Sequence, residues 1–213
     1  MPHILGSRPP ARRDRAFRFG RVAKVFPEIT DHLHDWITRQ SMFFIATAPL
    51  AADGHVNVSP KGPIGSFAVL GPREVAYLDV NGSGIETIAH LRENERICVM
   101  FCAFDGAPRI LRLHGRGEAV FRDEARFQAL MARADFADLS IPEARRAIVR
   151  VDVTRVADSC GYGVPLMTPA GMREHHALSS SKRVRTMGAE GYDASQREQG
   201  ARSLDGLPAF AER

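Results

Sequence analysis

The chain has 213 residues, of which 44% are hydrophobic and 25% charged, and its formal net charge is +4. That length fits one domain with appendages, and the composition is ordinary for a globular protein. The sequence holds no run of about 18 apolar residues, so no membrane-spanning helix is expected. Its basic start lacks the apolar core of a secretory signal, so we expect a cytoplasmic protein.

The positive charge is carried almost entirely by arginine, since the 29 basic residues include only three lysines, Lys24, Lys61 and Lys182. Many of the arginines lie in residues 1–25, a Pro/Arg-rich segment expected to form a basic arm. Aromatic residues are not interleaved with them, so we expect no nucleic-acid partner. An oligonucleotide-binding barrel is a weak alternative suggested by the charge alone. The cysteines and histidines lack metal-ligand spacing, so no metal is expected.

A helix is predicted to begin at Pro27 and Glu28, because proline and acidic residues favour the first helical turn. Apolar residues then recur at helical spacing, with Leu33, Trp36 and Ile37 on one face. This face is predicted to pack on the core.

Residues 42–62 are predicted to form a β-hairpin. An Asp-Gly pair at 53–54 supplies the turn, and residues 55–59 alternate between polar and apolar as a half-buried strand does. Pro60 is expected to end that strand, because it cannot donate to a ladder. Lys61 and Gly62 follow, a cation beside a residue that lets a ligand approach the backbone closely. The tip is therefore either an anion site or an ordinary exposed hairpin end.

Strands are predicted at 67–70 and 75–80, followed by a helix from about Ser83 to Glu93. Residues 81–84 lead into the helix N-terminus, whose free N–H groups can bind an anion. Ser83 and Glu86 also have the spacing of a capping box, in which Glu86 would occupy the same N–H groups. Both interpretations remain open from the sequence.

Three more strands are predicted at 96–103, 109–117 and 147–156. The first is apolar on both faces, as in a strand that is covered on both sides. Arg109 opens the second, where it would either reach a bound anion or pair with Asp105. A helix is expected at 123–134, with one or two further turns within 141–146. The last forty or so residues are polar and weakly periodic, and are expected to wrap the surface or a second subunit.

Together these elements predict a mainly β, α+β fold: an antiparallel barrel of about six strands, closed, with helices at its ends. The sequence contains no defensible Ser/His/Asp order and no paired carboxylates, so no catalytic residue is assigned. If the chain is an enzyme, a cofactor is expected to carry the difficult step.

The chain resembles the pyridoxamine 5'-phosphate oxidase-like flavoproteins, in their broad branch rather than the vitamin enzyme itself. The resemblance covers residues 43–165 and the tail near 203–208. It rests on the order and spacing of several segments: FIATAP, NVSPKG, YLDVNGSGIET, VMFCAFDGAPRILRLHGRGE, SCGYGVPLM and SLDGLP.

The resemblance implies a split β-barrel homodimer that holds FMN at the subunit interface. It divides the chain into the arm at 1–25, a flavin-binding domain at 26–165 and an extension at 166–213 that packs on the barrel or on the partner. The residues that it places near the cofactor are Asn57, Val58, Ser59, Lys61, Leu78, Asp79, Ser83, Gly84, Thr87 and Arg109.

The chain departs from the vitamin-oxidase branch at the helix start, where an Arg-Lys pair is replaced by Glu86 and Thr87. The Trp and Arg that contact the pyridoxal substrate have no counterpart, since the one tryptophan, Trp36, lies in the first predicted helix. The expected function is therefore FMN-dependent redox chemistry on an unidentified small substrate. The alternatives are a non-catalytic flavin carrier or sensor, and the same barrel with deazaflavin F420 or haem.

Overall fold

The computed structural model describes residues 24–138 and 140–210. Most of the predicted basic arm lies outside them. The strands are β1 (Lys24–Phe26), β2 (Phe43–Thr47), β3 (Asn57–Lys61), β4 (Phe67–Gly71), β5 (Glu74–Val80), β6 (Arg96–Cys102), β7 (Ile110–Phe121) and β8 (Arg145–Ser159). The helices are α1 (Asp31–Thr38), α2 (Glu86–Asn94), α3 (Ala125–Ala134) and α4 (His175–Gln199).

All eight strands belong to one antiparallel sheet in the order β3-β2-β6-β7-β8-β5-β4, with β1 also paired to β8. The predicted antiparallel α+β fold is confirmed, but the expected strand number of about six is too low. The sheet is also not closed, because the described β3 and β4 are its two ends and do not pair with each other. A three-residue 3₁₀ turn, Ile64–Ser66, lies between these two strands.

The long strand β8 connects the two halves of the sheet. Its 15 residues pair with β7 along most of their length, with β5 over the first half and with β1 near the end. The β7–β8 register shifts after His114, so that Thr154 is an extra residue opposite Gly115. A Cβ atom at Gly115 would lie 2.3 Å from the carbonyl oxygen of Asp152, which explains the glycine at this close approach.

The sheet encloses a core of buried aromatic residues. The rings of Phe43 and Phe67 lie 5.1 Å apart, and those of Phe67 and Phe101 lie 5.1 Å apart in an edge-to-face arrangement. Tyr77 also packs edge-on against Phe43, at 5.6 Å. Helix α1 contributes to the same core with the face predicted from its periodicity. This core fixes the neighbouring strands β2, β4, β5 and β6 against each other.

Two predicted boundaries in the first part of the chain are wrong. Helix α1 begins at Asp31, not at Pro27, because Thr30 caps it by accepting a hydrogen bond from the N–H of Leu33 (3.4 Å). Strand β3 begins at Asn57 and continues through Pro60 to Lys61. Proline is tolerated there because β3 is an edge strand, so its missing N–H removes no essential ladder bond.

Two later boundaries also differ from the prediction. Helix α2 begins at Glu86 instead of Ser83, and no side chain caps it in the manner of a capping box. The helical turns expected within 141–146 are a single 3₁₀ turn, Pro142–Ala144, after which β8 begins at Arg145.

The 25-residue helix α4 was not predicted. Only Ser180 and Tyr192 in it are buried, so it presents little of the apolar periodicity that identifies a packed helix. It is also interrupted at Gly188, whose φ of 75° is not helical. Among the described residues, no helix combines the length and apolar character needed to cross a membrane.

Candidate functional site

A cleft of about 280 Å³ lies where the end of β3, the end of β5 and the start of α2 meet. Its walls include Ser59, Pro60 and Lys61 from the edge strand and Gly82, Ser83, Gly84, Glu86 and Thr87 from the segment that enters the helix. The two segments that the sequence singled out as possible anion sites therefore face a single cavity.

Three of the charged side chains that line this cleft, those of Lys61, Asp79 and Arg146, are bonded to one another. The Asp79 carboxylate, only 3% exposed, accepts a hydrogen bond from Lys61 Nζ at 3.0 Å and another from Arg146 Nε at 2.7 Å. Burial alone would raise the pKa of Asp79, but the nearby cations Arg146 and Lys61 outweigh it and the pKa is lowered. The aspartate is thus ionised at neutral pH and holds both cations at the cleft.

The segment entering α2 offers backbone donors to the cleft. In the described part of the chain, the N–H groups of Gly82, Ser83 and Gly84 have no hydrogen-bond acceptor. The Glu86 carboxylate accepts instead from the N–H of Ile85, at 3.0 Å. Glu86 therefore does interact with the helix start, as the capping interpretation required, but Ser83 does not complete a capping box.

A chain of polar side chains supports the wall of the cleft from behind. Asn57 Nδ2 donates to Thr47 Oγ1 at 3.1 Å and to Thr87 Oγ1 at 3.0 Å, while Ser59 Oγ donates to Asn57 Oδ1 at 2.9 Å. Thr87 Oγ1 accepts from Asn57, so its own hydroxyl proton can be donated either to a ligand or to the neighbouring Tyr77 hydroxyl. The network joins β3 to α2 beside the cleft.

His90 lies behind this network and is fully buried, with Nδ1 at 3.0 Å from Thr47 Oγ1. Burial lowers the pKa of His90, so the imidazole is neutral near pH 7. The buried Tyr77 hydroxyl and His90 Nε2 have no hydrogen-bond partner among the described residues. Burial, and then the Asp79 carboxylate, raises the pKa of Tyr77, so this phenol does not ionise in the neutral range.

Two further cavities adjoin the cleft along Pro60 and Lys61. One, of about 710 Å³, lies under the start of α4 and is lined in part by Asp138, Glu174 and His176. The other, of about 340 Å³, is mainly apolar and is lined by the segment 167–172. Lys61 borders all three spaces.

The structure brings most of the ten predicted site residues together, but not all. Ser59, Lys61, Asp79, Ser83, Gly84 and Thr87 line the cleft, Asn57 lies behind it and Leu78 lines the adjoining larger cavity. Val58 is 60% exposed and lines none of these spaces. Arg109 is also elsewhere: its Nε lies 3.6 Å from Asp158 and its guanidinium lies over Trp36, so the alternative pairing with Asp105 is wrong.

Arg146 was missed from the sequence, although it is a principal cation of the cleft. It lies one residue into β8, and the pairing of β5 with β8 places it beside Asp79. Its other hydrogen bond, from Nη1 to the carbonyl of Gly84 at 3.0 Å, fixes the loop before α2. The only local signal was an arginine at the start of an apolar strand, which by itself predicts surface exposure.

The loop is fixed on its other side by α4. His176 Nε2 donates to the carbonyl of Asn81 at 2.6 Å, and His176 Nδ1 lies 3.4 Å from the Ser140 hydroxyl. Asn81, which directly precedes Gly82, is therefore hydrogen-bonded to α4, at a residue 95 positions further along the chain.

Comparison with known proteins identifies relatives. A family model described as pyridoxamine 5'-phosphate oxidase matches residues 29–160. The chain is 40% identical over 195 residues to the pyridoxamine 5'-phosphate oxidase family protein ustO of Aspergillus flavus, covering 87% of this chain and 77% of that one.

Among solved structures, the chain is similar to HupZ of Group A Streptococcus, with a TM-score of 0.46 and 22% identity over 60% of this chain and 91% of HupZ. It is also similar to an FAD binding protein from Mycobacterium smegmatis, with a TM-score of 0.44 and 18% identity over 64% of this chain and 96% of that protein. The family match and the identity to ustO confirm the resemblance found in the sequence. The chain belongs to the pyridoxamine 5'-phosphate oxidase family.

Proposed function

We propose that the cleft binds FMN and that the protein uses it for redox chemistry on a small organic molecule. The observation that carries this proposal is that one cleft is lined by two cations, by two hydroxyl side chains and by three residues whose backbone N–H groups have no acceptor among the described residues. This donor set is suited to a phosphate group, which takes charge-assisted hydrogen bonds from cations and N–H groups.

The residues present fit a phosphate, with one opposing feature. Lys61, Arg146 and the Ser83 and Thr87 hydroxyls would hold its oxygens, and the loop N–H groups would add further donors. Asp79 and Glu86, however, bring two carboxylates against two cations, so the cleft has no net positive charge before a ligand binds. We therefore expect FMN binding that is weaker than a purely cationic site would give.

The bound flavin would supply the two-electron chemistry, while the residues of this chain bind and orient it. Asp79 holds the two cations in place, and the Asn57 network keeps β3 at a fixed distance from α2. Leu78 and Asp79, which the resemblance places near the cofactor, lie on β5 beside the cleft and its adjoining cavity.

A flavin carrier or sensor without turnover is a second candidate, favoured by one observation. Both carboxylates that line the cleft are already bonded, Asp79 to two cations and Glu86 to a backbone N–H, and His90 is buried. None of the three is free to act as an acid or base. Reduction by a nicotinamide cofactor followed by multiple turnovers with an electron acceptor would exclude the carrier role.

We also propose that the protein is a homodimer. Strand β3 is an edge strand, and two apolar side chains there are exposed: Val58 on the strand and Val56 directly before it. Exposed apolar residues at a sheet edge favour burial against another chain. Light scattering on a size-exclusion column should give twice the chain mass at micromolar concentration. A monomer that retains flavin would contradict a cofactor site at a subunit interface.

The visible absorption spectrum of the purified protein tests the cofactor, before and after addition of FMN and desalting. Retained flavin bands would support the proposal. A Soret band would indicate haem, and a deazaflavin spectrum would indicate F420. Failure to retain or to bind any of the three would overturn the proposed function.

A further inference from the structure

An apolar pocket of about 340 Å³ shares Pro60 and Lys61 with the proposed cofactor cleft. Its walls come from four separate parts of the chain. They include Met42 before β2, Phe104 after β6, and Met167, Pro169 and Met172 from the segment that precedes α4. Pockets of roughly 300–1,000 Å³ with mostly apolar walls are the usual sites for small organic ligands.

The segment at 166–172 is held over this pocket by the backbone. The N–H of Met167 donates to the carbonyl of Phe104 at 2.9 Å, so the segment is fixed against the turn between β6 and β7. Even so, Leu166, Met167 and Met172 are 79%, 56% and 64% exposed. Three large apolar side chains left in water along one short segment indicate a surface that another molecule covers.

The chemical character of the lining restricts what that molecule can be. Lys61 is the only charged side chain among the described residues that line the pocket. In the described part of the chain its hydrogen bond goes to Asp79, and an ammonium group has three donors. The methionines are flexible and polarizable, and make favourable contacts with aromatic rings.

We propose that this pocket binds the substrate, an apolar ring-containing molecule with one anionic or acceptor oxygen that pairs with Lys61. The inference rests on the proposed function, because Lys61 borders both spaces and has three donors, so that it would give one to the bound FMN and another to this molecule. The volume fits two or three rings, and the single cation favours one acidic group rather than a highly charged metabolite such as a sugar phosphate.

Two matched probes test the proposal on the full chain. The first is 1-anilinonaphthalene-8-sulfonate, an apolar ring system with one anionic group. The second is N-phenyl-1-naphthylamine, which has the same rings without the sulfonate. We expect saturable binding of both, with the anionic probe at least threefold tighter. Lys61→Met should abolish that difference, because it removes the cation and keeps an unbranched side chain that is one atom shorter.

Met172→Glu locates the probe, since Met172 is exposed and its replacement should leave the fold intact. We expect at least fivefold weaker binding of the anionic probe. Met187→Glu is the matched control, because Met187 is also exposed, at 42%, but lies on α4 outside the pocket. Equal binding in wild type and Met172→Glu would overturn the proposal. The proposal would also be overturned if Met172→Glu dissociated a dimer and increased probe binding. That result would mean that a second copy of the chain covers the pocket in the wild type.

FMN retention, measured on the same samples, separates the two proposals. Probe binding that depends on Met172 in a protein that binds no FMN would support the pocket but overturn its role beside a flavin. FMN binding without probe binding would overturn the pocket alone.

Discussion

Asp205 accepts two hydrogen bonds from His55, a residue 150 positions earlier in the chain, one from the backbone N–H at 2.8 Å and one from Nδ1 at 2.6 Å. Asp205 lies in a tight turn near the C-terminus, closed by the bond from the N–H of Gly206 to the carbonyl of Ser203. His55 lies two residues before β3. The C-terminal tail therefore fixes the start of the strand that carries Asn57, Ser59 and Lys61.

Asp205→Asn is expected to weaken FMN binding several-fold, because β3 loses its charged acceptor and moves more freely relative to α2. Equilibrium titration of flavin fluorescence measures the effect. Asp53→Asn is the control, since Asp53 is an exposed aspartate in the same hairpin turn. If both variants bind FMN as the wild type does, the tail does not position the site.

Lys61→Ala is expected to weaken FMN binding by about 1.5–3 kcal/mol, the scale of a hydrogen bond to a charged group. The reason is that Lys61 lies at the cleft and, within residues 24–138 and 140–210, has one carboxylate partner, Asp79. The comparison is with Lys182→Ala, which removes an exposed lysine of α4 and should change nothing. An unaltered FMN dissociation constant in Lys61→Ala would remove Lys61 from the cofactor site.

Glu86→Gln is expected to tighten FMN binding several-fold and to leave riboflavin binding unchanged. The substitution removes a negative charge from the proposed phosphate site, and riboflavin has no phosphate to respond to it. Glu190→Gln, on the exposed surface of α4, serves as the control. Equal improvement for FMN and riboflavin would show that Glu86 acts on the ring or on the fold instead of on the phosphate.

Asp79→Asn is expected to destabilise the protein by about 3 kcal/mol at pH 7, because it leaves two largely buried cations without their shared carboxylate. The pKa of Asp79 is lowered in the folded protein. The contribution of the ionised Asp79 to the free energy of unfolding is therefore complete above the ordinary aspartate pKa of 3.8. It is lost as the pH falls through the lower pKa that Asp79 has in the folded protein. Urea denaturation from pH 7 to pH 3 should show the gap between wild type and variant narrowing below about pH 4. A constant gap would contradict this assignment.

Gly115→Ala is expected to cost about 1–3 kcal/mol of folding free energy, the usual range for overpacking. Its Cβ atom would lie 2.3 Å from the backbone oxygen of Asp152, which cannot move without disturbing the β7–β8 ladder. Gly163→Ala is the control, because its added Cβ would have no atom of the described residues within 4 Å apart from its own chain neighbours. Thermal or urea unfolding of the two variants measures the difference.

Elements with a strong local signal were predicted well. The Asp-Gly turn between β2 and β3 and the helical periodicity of α1, α2 and α3 are properties of short stretches of chain, so the sequence alone determined them. The segments around Lys61 and Gly82 were also recognised as possible anion sites from a few neighbouring residues. The signals were a cation next to glycine at a strand end and a glycine-containing helix start.

Contacts between distant parts of the chain were decided only by the tertiary structure. Arg146 faces Asp79 because β8 pairs with β5 in one particular register, and no local pattern encodes that register. Pro60 remains inside a strand because β3 lies at the sheet edge, and the exposed α4 has too small a buried face to be recognised. The physical reason is that pairing partners and burial depend on the whole sheet, whereas turns, caps and periodicity depend on a few neighbouring residues.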